Sequence, residues 1–140
     1  MDLKQLDTLA AAEKGLTFDV VHPFSKEVLT YKNKEGEEVP STISVLGVGS
    51  RAYKQAEKKL ELARKNSWAR KHKDLDEDEE HELILNIAVS CTTAWEGIEE
   101  DGKIVPFSKD NVARIFEAYP WLANQVTEQM SNLQEMLEKN

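Results

Sequence analysis

The chain has 140 residues and a net charge of −8, with 40% hydrophobic and 31% charged side chains. This length suits one folded core without staples, and the apolar share excludes a wholly disordered chain. The acidic balance argues against a general nucleic-acid binder, because neutralising phosphates takes a basic face.

Residues 1–16 mix both charge signs and lack the apolar centre of a secretory signal. No uninterrupted apolar stretch reaches membrane-spanning length, so the cytosol is the expected location. Leu3, Leu6, Leu9 and Ala10 recur at helical spacing, which predicts a short helix over 2–14 stopped by Gly15. Three β-prone runs follow: Thr17, Phe18, Val20 and Val21; Val28, Thr30 and Tyr31; Thr42, Ile43, Val45 and Leu46. His22-Pro23, Asn33-Lys34-Glu35-Gly36, and Gly47 with Gly49 punctuate them. The pattern predicts a small antiparallel meander that must pack on helices to be stable.

Ser50 is a good N-cap for a helix running to about residue 73. Its apolar stripe is Ala52, Ala56, Leu60 and Ala63, with Tyr53 and Trp68 beside it. A second helix is predicted over 76–95, with Leu83, Ile84, Ile87, Ala88, Cys91, Ala94 and Trp95 on its core side. Asp76, Glu77 and Asp78 suit the positive end of its dipole. Cys91, the single cysteine, excludes an internal disulfide and reads as a buried small hydrophobe in a reducing compartment. Gly97 and Asp101-Gly102 turn the chain, and Ile104, Val105 and Pro106 are extended. Ser108 caps a helix bearing Val112, Ile115, Phe116 and Tyr119. Pro120 opens a last helix, where Leu122, Val126, Met130, Leu133 and Leu137 form a narrow seam. Such a seam suits either core packing or self-association. The expected fold class is α+β and predominantly helical. A short helix and small antiparallel β-meander over 1–49 pack on a bundle of about four helices over 50–140, as one folded unit.

Candidate chemistry is sparse. Asp74, Asp76 and Asp78 alternate as in a calcium loop, but the positions that need Gly and Glu hold Glu79 and Leu85. Glu77 and His81 share a helical face, yet no further Cys or His stands at zinc spacing. His22 reads as a strand-end residue and His72 as part of a basic face. Glu96, Glu99, Glu100 and Asp101 crowd a solvated turn, whereas acid–base work needs a pocket that separates pKa values. No phosphate loop, dinucleotide fingerprint or nucleophile elbow is present. These residues point to no catalytic, metal or cofactor site.

Charge is distributed unevenly. Residues 51–73 hold nine Lys or Arg against two Glu, and residues 74–82 hold seven Asp or Glu with no Lys or Arg. The basic helix is either a phosphate contact or a solvated face partly neutralised by the acidic turn. Exposed pairs of this kind contribute only about 0–1 kcal/mol each.

One ordered set of short motifs is more informative. It runs Trp95-Glu96-Gly97-Ile98, Asp101-Gly102-Lys103, Val105-Pro106-Phe107-Ser108-Lys109-Asp110-Asn111, Pro120-Trp121-Leu122 and Gln125-Val126. This set resembles the tail assembly chaperones of long-tailed bacteriophages. Ile43-Ser44-Val45-Leu46-Gly47 and Ser50-Arg51-Ala52-Tyr53 fit the same group, so the resemblance covers about residues 16–130 and is strongest over 95–126. It implies a non-enzymatic protein that transiently binds the long, helical tape-measure protein and recruits tail-tube protein. Such proteins act in the host cytoplasm and are absent from the mature virion. Many also exist as a frameshifted longer form, and the codons of Lys139-Asn140 would suit an A-rich slippery run. Expected partners are the tape-measure protein, the tail-tube protein, and a second copy or the longer form, with no nucleic acid and no membrane. The expected groove lies on the helices over 76–95, 108–119 and 121–138. Its candidate residues are Trp95, Phe107, Phe116, Tyr119, Trp121, Leu122, Val126 and Met130. Large aromatics dominate core burial, and Trp and Tyr are also over-represented at binding hot spots. Competing readings are a structural tail or head–tail completion protein retained in the particle, a nucleic-acid-binding regulator using residues 51–73, and a small enzyme.

Overall fold

The structure, a computed structural model, describes residues 1–4 and 7–139, the side chains of 136–139 apart. The expected apolar positions Leu6 and, as a side chain, Leu137 lie outside the described residues, as does Asn140. Helix α1 (Thr8–Lys14) starts later than its periodicity suggests. Asp7 serves as its N-cap, with Oδ1 accepting the Ala10 N–H at 2.9 Å. Gly15 ends α1 at φ +68°, where an added Cβ would lie 2.0 Å from the Val45 carbonyl oxygen. Only glycine lets the end of α1 press against that strand.

Strands β1 (Leu16–Asp19), β4 (Thr42–Val45) and β5 (Thr92–Glu96) form an antiparallel sheet in the order β1-β4-β5. Phe18, Ile43 and Val45 are buried from it. A small antiparallel sheet on the N-terminal side with helices following is the expected α+β architecture, although its third strand is β5 and not the predicted run around 28–31. Strands β2 (Thr30–Lys32) and β3 (Glu38–Pro40) pair only with each other, as a hairpin inserted between β1 and β4. Asn33 organises the hairpin turn, its Oδ1 accepting the N–H groups of Glu35 and Glu37 at 3.0 and 2.9 Å. Strand β3 has little sequence signal because Glu38 and Pro40 flank its single apolar residue, Val39. At the hairpin base, Val20 N–H donates to Ser41 O, Leu29 N–H to Val20 O and Ser41 N–H to Leu29 O, each at 2.8 Å.

Helix α2 (Arg51–Lys71) begins at Ser50, whose Oγ accepts the Tyr53 N–H at 3.3 Å. Helix α3 (Glu77–Cys91) begins at Asp76, whose Oδ1 accepts the Glu79 N–H at 2.8 Å. That bond holds the Asp76 carboxyl below its ordinary range. The prediction of helix through Trp95 is corrected: α3 stops at Cys91 and the chain continues as β5. Cys91 and Trp95 are both buried and four apart, so helical periodicity overran the true end. The β-branched pair Thr92-Thr93 favours the extended form, and Thr92 Oγ1 donates back to Ala88 O at 2.8 Å. Val45 pairs with Thr92 and Ser44 with Ala94, which leaves Thr93 as the extra residue of a bulge.

Strands β6 (Glu99–Glu100) and β7 (Lys103–Ile104) join through Asp101 and Gly102, at φ +53° and +75°. Two consecutive positive φ values are the chemistry of an Asp-Gly hairpin turn. Helix α4 (Lys109–Ala118) is capped by Ser108, whose Oγ accepts the Asn111 N–H at 3.1 Å, and α5 (Pro120–Lys139) follows. The core lies between the sheet and helices α3, α4 and α5, around Ile43, Val112, Ile115, Phe116 and Val126. Leu122, Val126 and Met130 of the α5 seam join this core, and Leu133 is buried beside Gly47. Helix α2 lies against α3 and meets the acidic turn at two points. Arg64 forms an ion pair with Glu80, and Trp68 Nε1 donates to Asp74 Oδ1 at 3.0 Å. Among the described residues, no helix is long and apolar enough to cross a membrane.

Candidate protein-binding face

Side chains from the 95–126 motif set tie that region together. Lys109, at the start of α4, reaches back over the end of α3. Its Nζ donates to the carbonyls of Val89, Ser90 and Thr92 at 2.9, 3.3 and 2.5 Å. Those carbonyls lie at a helix C-terminus, where backbone partners run out and the dipole favours a cation. Burial pulls the Lys109 ammonium below the usual lysine value and pushes the Cys91 thiol up to about 11. A thiol so raised is a core group and not a nucleophile at neutral pH.

Trp95 enters the core from β5, and its Nε1 donates to Val105 O at 2.9 Å. Its ring meets Phe107 edge-on, with centroids 5.6 Å apart and an 87° interplanar angle. Val105 N–H donates to Ile98 O at 2.8 Å, and Asn111 Nδ2 donates to Pro106 O at 2.9 Å. The tryptophan, the Pro-Phe strap and the α4 cap are therefore one connected unit. On the other flank, Tyr119 OH and Arg114 Nη1 donate to the two Glu100 carboxylate oxygens at 2.7 and 2.8 Å. The Tyr119 and Arg114 bonds hold the Glu100 carboxyl below its ordinary range, and Glu100 raises the Tyr119 hydroxyl. A general acid at neutral pH needs the opposite shift, so Glu100 acts as an anchor.

Gly97 joins these flanks at φ +73°. Its carbonyl accepts from Ser41 Oγ at 2.8 Å, and the Tyr31 ring lies against it, so that an added Cβ would sit 2.0 Å from Tyr31 Cδ1. Clefts open on both sides of this glycine. One, of about 340 Å³, is lined by Leu29, Ile98, Ile115, Tyr119, Trp121 and Leu122. The other, of about 500 Å³, is lined by Tyr31, Trp95, Ile104, Val105 and Phe107.

The expectation that all eight candidate residues present one groove is corrected by their burial. Phe116, Val126 and Met130 are core residues with no exposed face, because α4 and α5 close on each other there. Trp95 and Leu122 are also buried, but each contributes to a cleft lining. Phe107 and Tyr119 remain 36% and 37% exposed, and Trp121 is half-buried at the rim. The structure thus divides the candidates between two clefts and the core beneath them. Sequence reasoning assigned no site role to Tyr31, Gly97, Glu100, Lys109 or Gln125. Gly97, next to a tryptophan and ahead of an Asp-Gly turn, carried a signal. Gln125 stood in the motif set, but nothing local pointed to its contact: its Oε1 accepts the Val21 N–H at 3.1 Å and its Nε2 donates to Val21 O at 2.6 Å, across 104 residues.

Among the described residues, no group of three His, Cys, Asp or Glu side chains converges to hold a metal ion. No curated protein and no solved structure matches the chain. Residues 48–140, more than half of the sequence, match the family model described as YdaY prophage protein; the chain belongs to this family and is of phage origin.

Proposed function

We propose that this protein is a non-enzymatic tail assembly chaperone. In this reading it binds the tape-measure protein transiently in the host cytoplasm, helps recruit tail-tube subunits, and leaves before the virion is complete. The observation that carries the proposal is the convergence of the 95–126 motif set. Residues scattered over that stretch form two hydrogen-bonded clusters on either side of Gly97, with the partly exposed aromatics Phe107, Tyr119 and Trp121 on two clefts whose linings combine apolar and charged side chains. Aromatic anchors beside preformed clefts are the usual means of seating an apolar helix. Phage origin and the acidic net charge, which favours solubility of a protein that handles apolar chains, also support the reading.

The test is co-expression with the tape-measure protein from the same phage genome, followed by affinity capture. Wild-type chain is expected to retain the tape-measure protein. Phe107→Ala combined with Tyr119→Ala and Trp121→Ala is expected to lose it while far-UV circular dichroism stays native. Undiminished capture by the folded triple variant would refute the assignment of these clefts. Detection of the chain in purified virions would favour the structural-component reading instead.

A further inference from the structure

Among the described residues, the outer face of α2 is exposed and packs against no other element. Ala56, Leu60 and Ser67 are buried against the body of the protein. Arg51, Lys54, Lys58 and Lys65 fall on the opposite side, within an arc of about 60° at 3.6 residues per turn. All four are exposed, and none forms an ion pair among the described residues; the one α2 cation that does is Arg64. Leu62 lies along the same stripe and is 57% exposed. The surface is therefore a basic helix face with the exposed Leu62 along one edge and the exposed Glu61 along the other.

A surface of complementary character exists on the same molecule. Between α3 and α4 runs an open groove of about 980 Å³. Leu85, Val89 and Ala113 line it together with five carboxylates, among them Asp78, Glu82 and Glu117; against these stand the cations Lys59 and Arg114, and Arg114 is already paired with Glu100. Among the described residues, Asp78 and Glu82 form no ion pair with a Lys or Arg, and Glu117 lies 3.2 Å from His81 Nε2. Apart from residues 51–73, the chain holds nine Lys or Arg against twenty-four Asp or Glu. The basic stripe is thus an island on a strongly acidic protein, and another copy of the chain offers it an apolar floor bordered by carboxylates. A nucleic acid would meet the cations but not Leu62, and would be repelled by the remaining surface.

We propose that the protein self-associates by seating the α2 outer face of one copy in the α3–α4 groove of another, with Leu62 on the apolar floor and Lys54 and Lys58 at the acidic rim. This contact is independent of the aromatic clefts and of the chaperone reading.

Sedimentation velocity of the full chain tests the proposal. Wild-type protein is expected to associate with rising concentration at low ionic strength. It should return to monomer in about 0.5 M NaCl, where the Debye length falls to roughly 4 Å. Lys54→Glu with Lys58→Glu, and separately Asp78→Lys with Glu82→Lys, should each stay monomeric with native circular dichroism. Mixing the two charge-reversed proteins should restore a complex. A wild-type chain that remains monomeric at about 100 μM and low salt, where contacts of micromolar strength would be populated, overturns the proposal. So does association that survives both reversals. A salt-sensitive gel shift of a single-stranded oligonucleotide by monomeric wild type, abolished by Lys54→Glu with Lys58→Glu, would assign the stripe to nucleic acid and overturn it as well.

Discussion

Gly97→Ala separates two physical costs that the structure places at one residue. The first is conformational: a residue with a Cβ at φ +73° is destabilised by about 1–2 kcal/mol. The second is steric. The new Cβ would lie 2.0, 2.3 and 2.5 Å from three Tyr31 ring atoms, so the ring must move by more than an ångström to reach van der Waals contact. Overpacking of this kind adds about 1–3 kcal/mol, giving a total near 2–5 kcal/mol. Gly102→Ala is an internal control, because Gly102 sits at φ +75° with nothing within 4 Å of an added Cβ. It should show the conformational cost alone, about 1–2 kcal/mol. Tyr31→Ala removes the obstructing ring, so Gly97→Ala in that background should fall to the same value. The assay is urea unfolding of the four-member cycle with Gly102→Ala beside it. If Gly97→Ala costs within about 0.5 kcal/mol of Gly102→Ala, or costs the same with and without the Tyr31 ring, the packing argument fails.

Gln125→Ala should destabilise the fold by about 1–3 kcal/mol by leaving both Val21 backbone groups without their partner, measured by urea unfolding. Tyr119→Phe should raise the Glu100 pKa toward the ordinary carboxylate value, read by NMR titration of its side-chain carbon. Because the folded pKa of Glu100 is depressed, its contribution to stability is present above the unfolded value near 4.3. That contribution is lost as pH falls through the folded value. Cys91 has the opposite sign: its folded pKa is raised, so the neutral thiol's contribution is complete below the unfolded value near 8.5 and fades as pH rises toward 11. The stability difference between wild type and Cys91→Ala should therefore shrink across that window, and a difference independent of pH would contradict it.

Local rules anticipated the features that local chemistry decides. Ser50, Asp76 and Ser108 cap helices where they were expected or one residue before, and Pro120 opens α5. The turns at Asn33–Gly36 and Asp101-Gly102 follow from side-chain acceptors and positive φ. The misreadings arose where distant segments decide. Strand β5 exists because β4 offers it a partner edge, and the Trp95 spacing concealed the change from helix to strand. Phe116, Val126 and Met130 have the composition of either a core or a binding surface, and only the packing of α4 on α5 assigns them to the core. The clefts around Gly97 were only partly legible: Phe107, Tyr119 and Trp121 were visible as aromatics, but Tyr31 arrives from a hairpin more than sixty residues upstream.

Gln125 holds Val21 from 104 residues away, and Gly97 receives Ser41 across 56. During synthesis, strand β4 must wait for β5, and Val21 must wait until α5 has emerged. Contacts of such long range delay closure of the sheet, so a ribosome stalled before residue 92 would hold a chain with an unsealed β edge. Native assembly of this fold consequently waits until α5 has been synthesised.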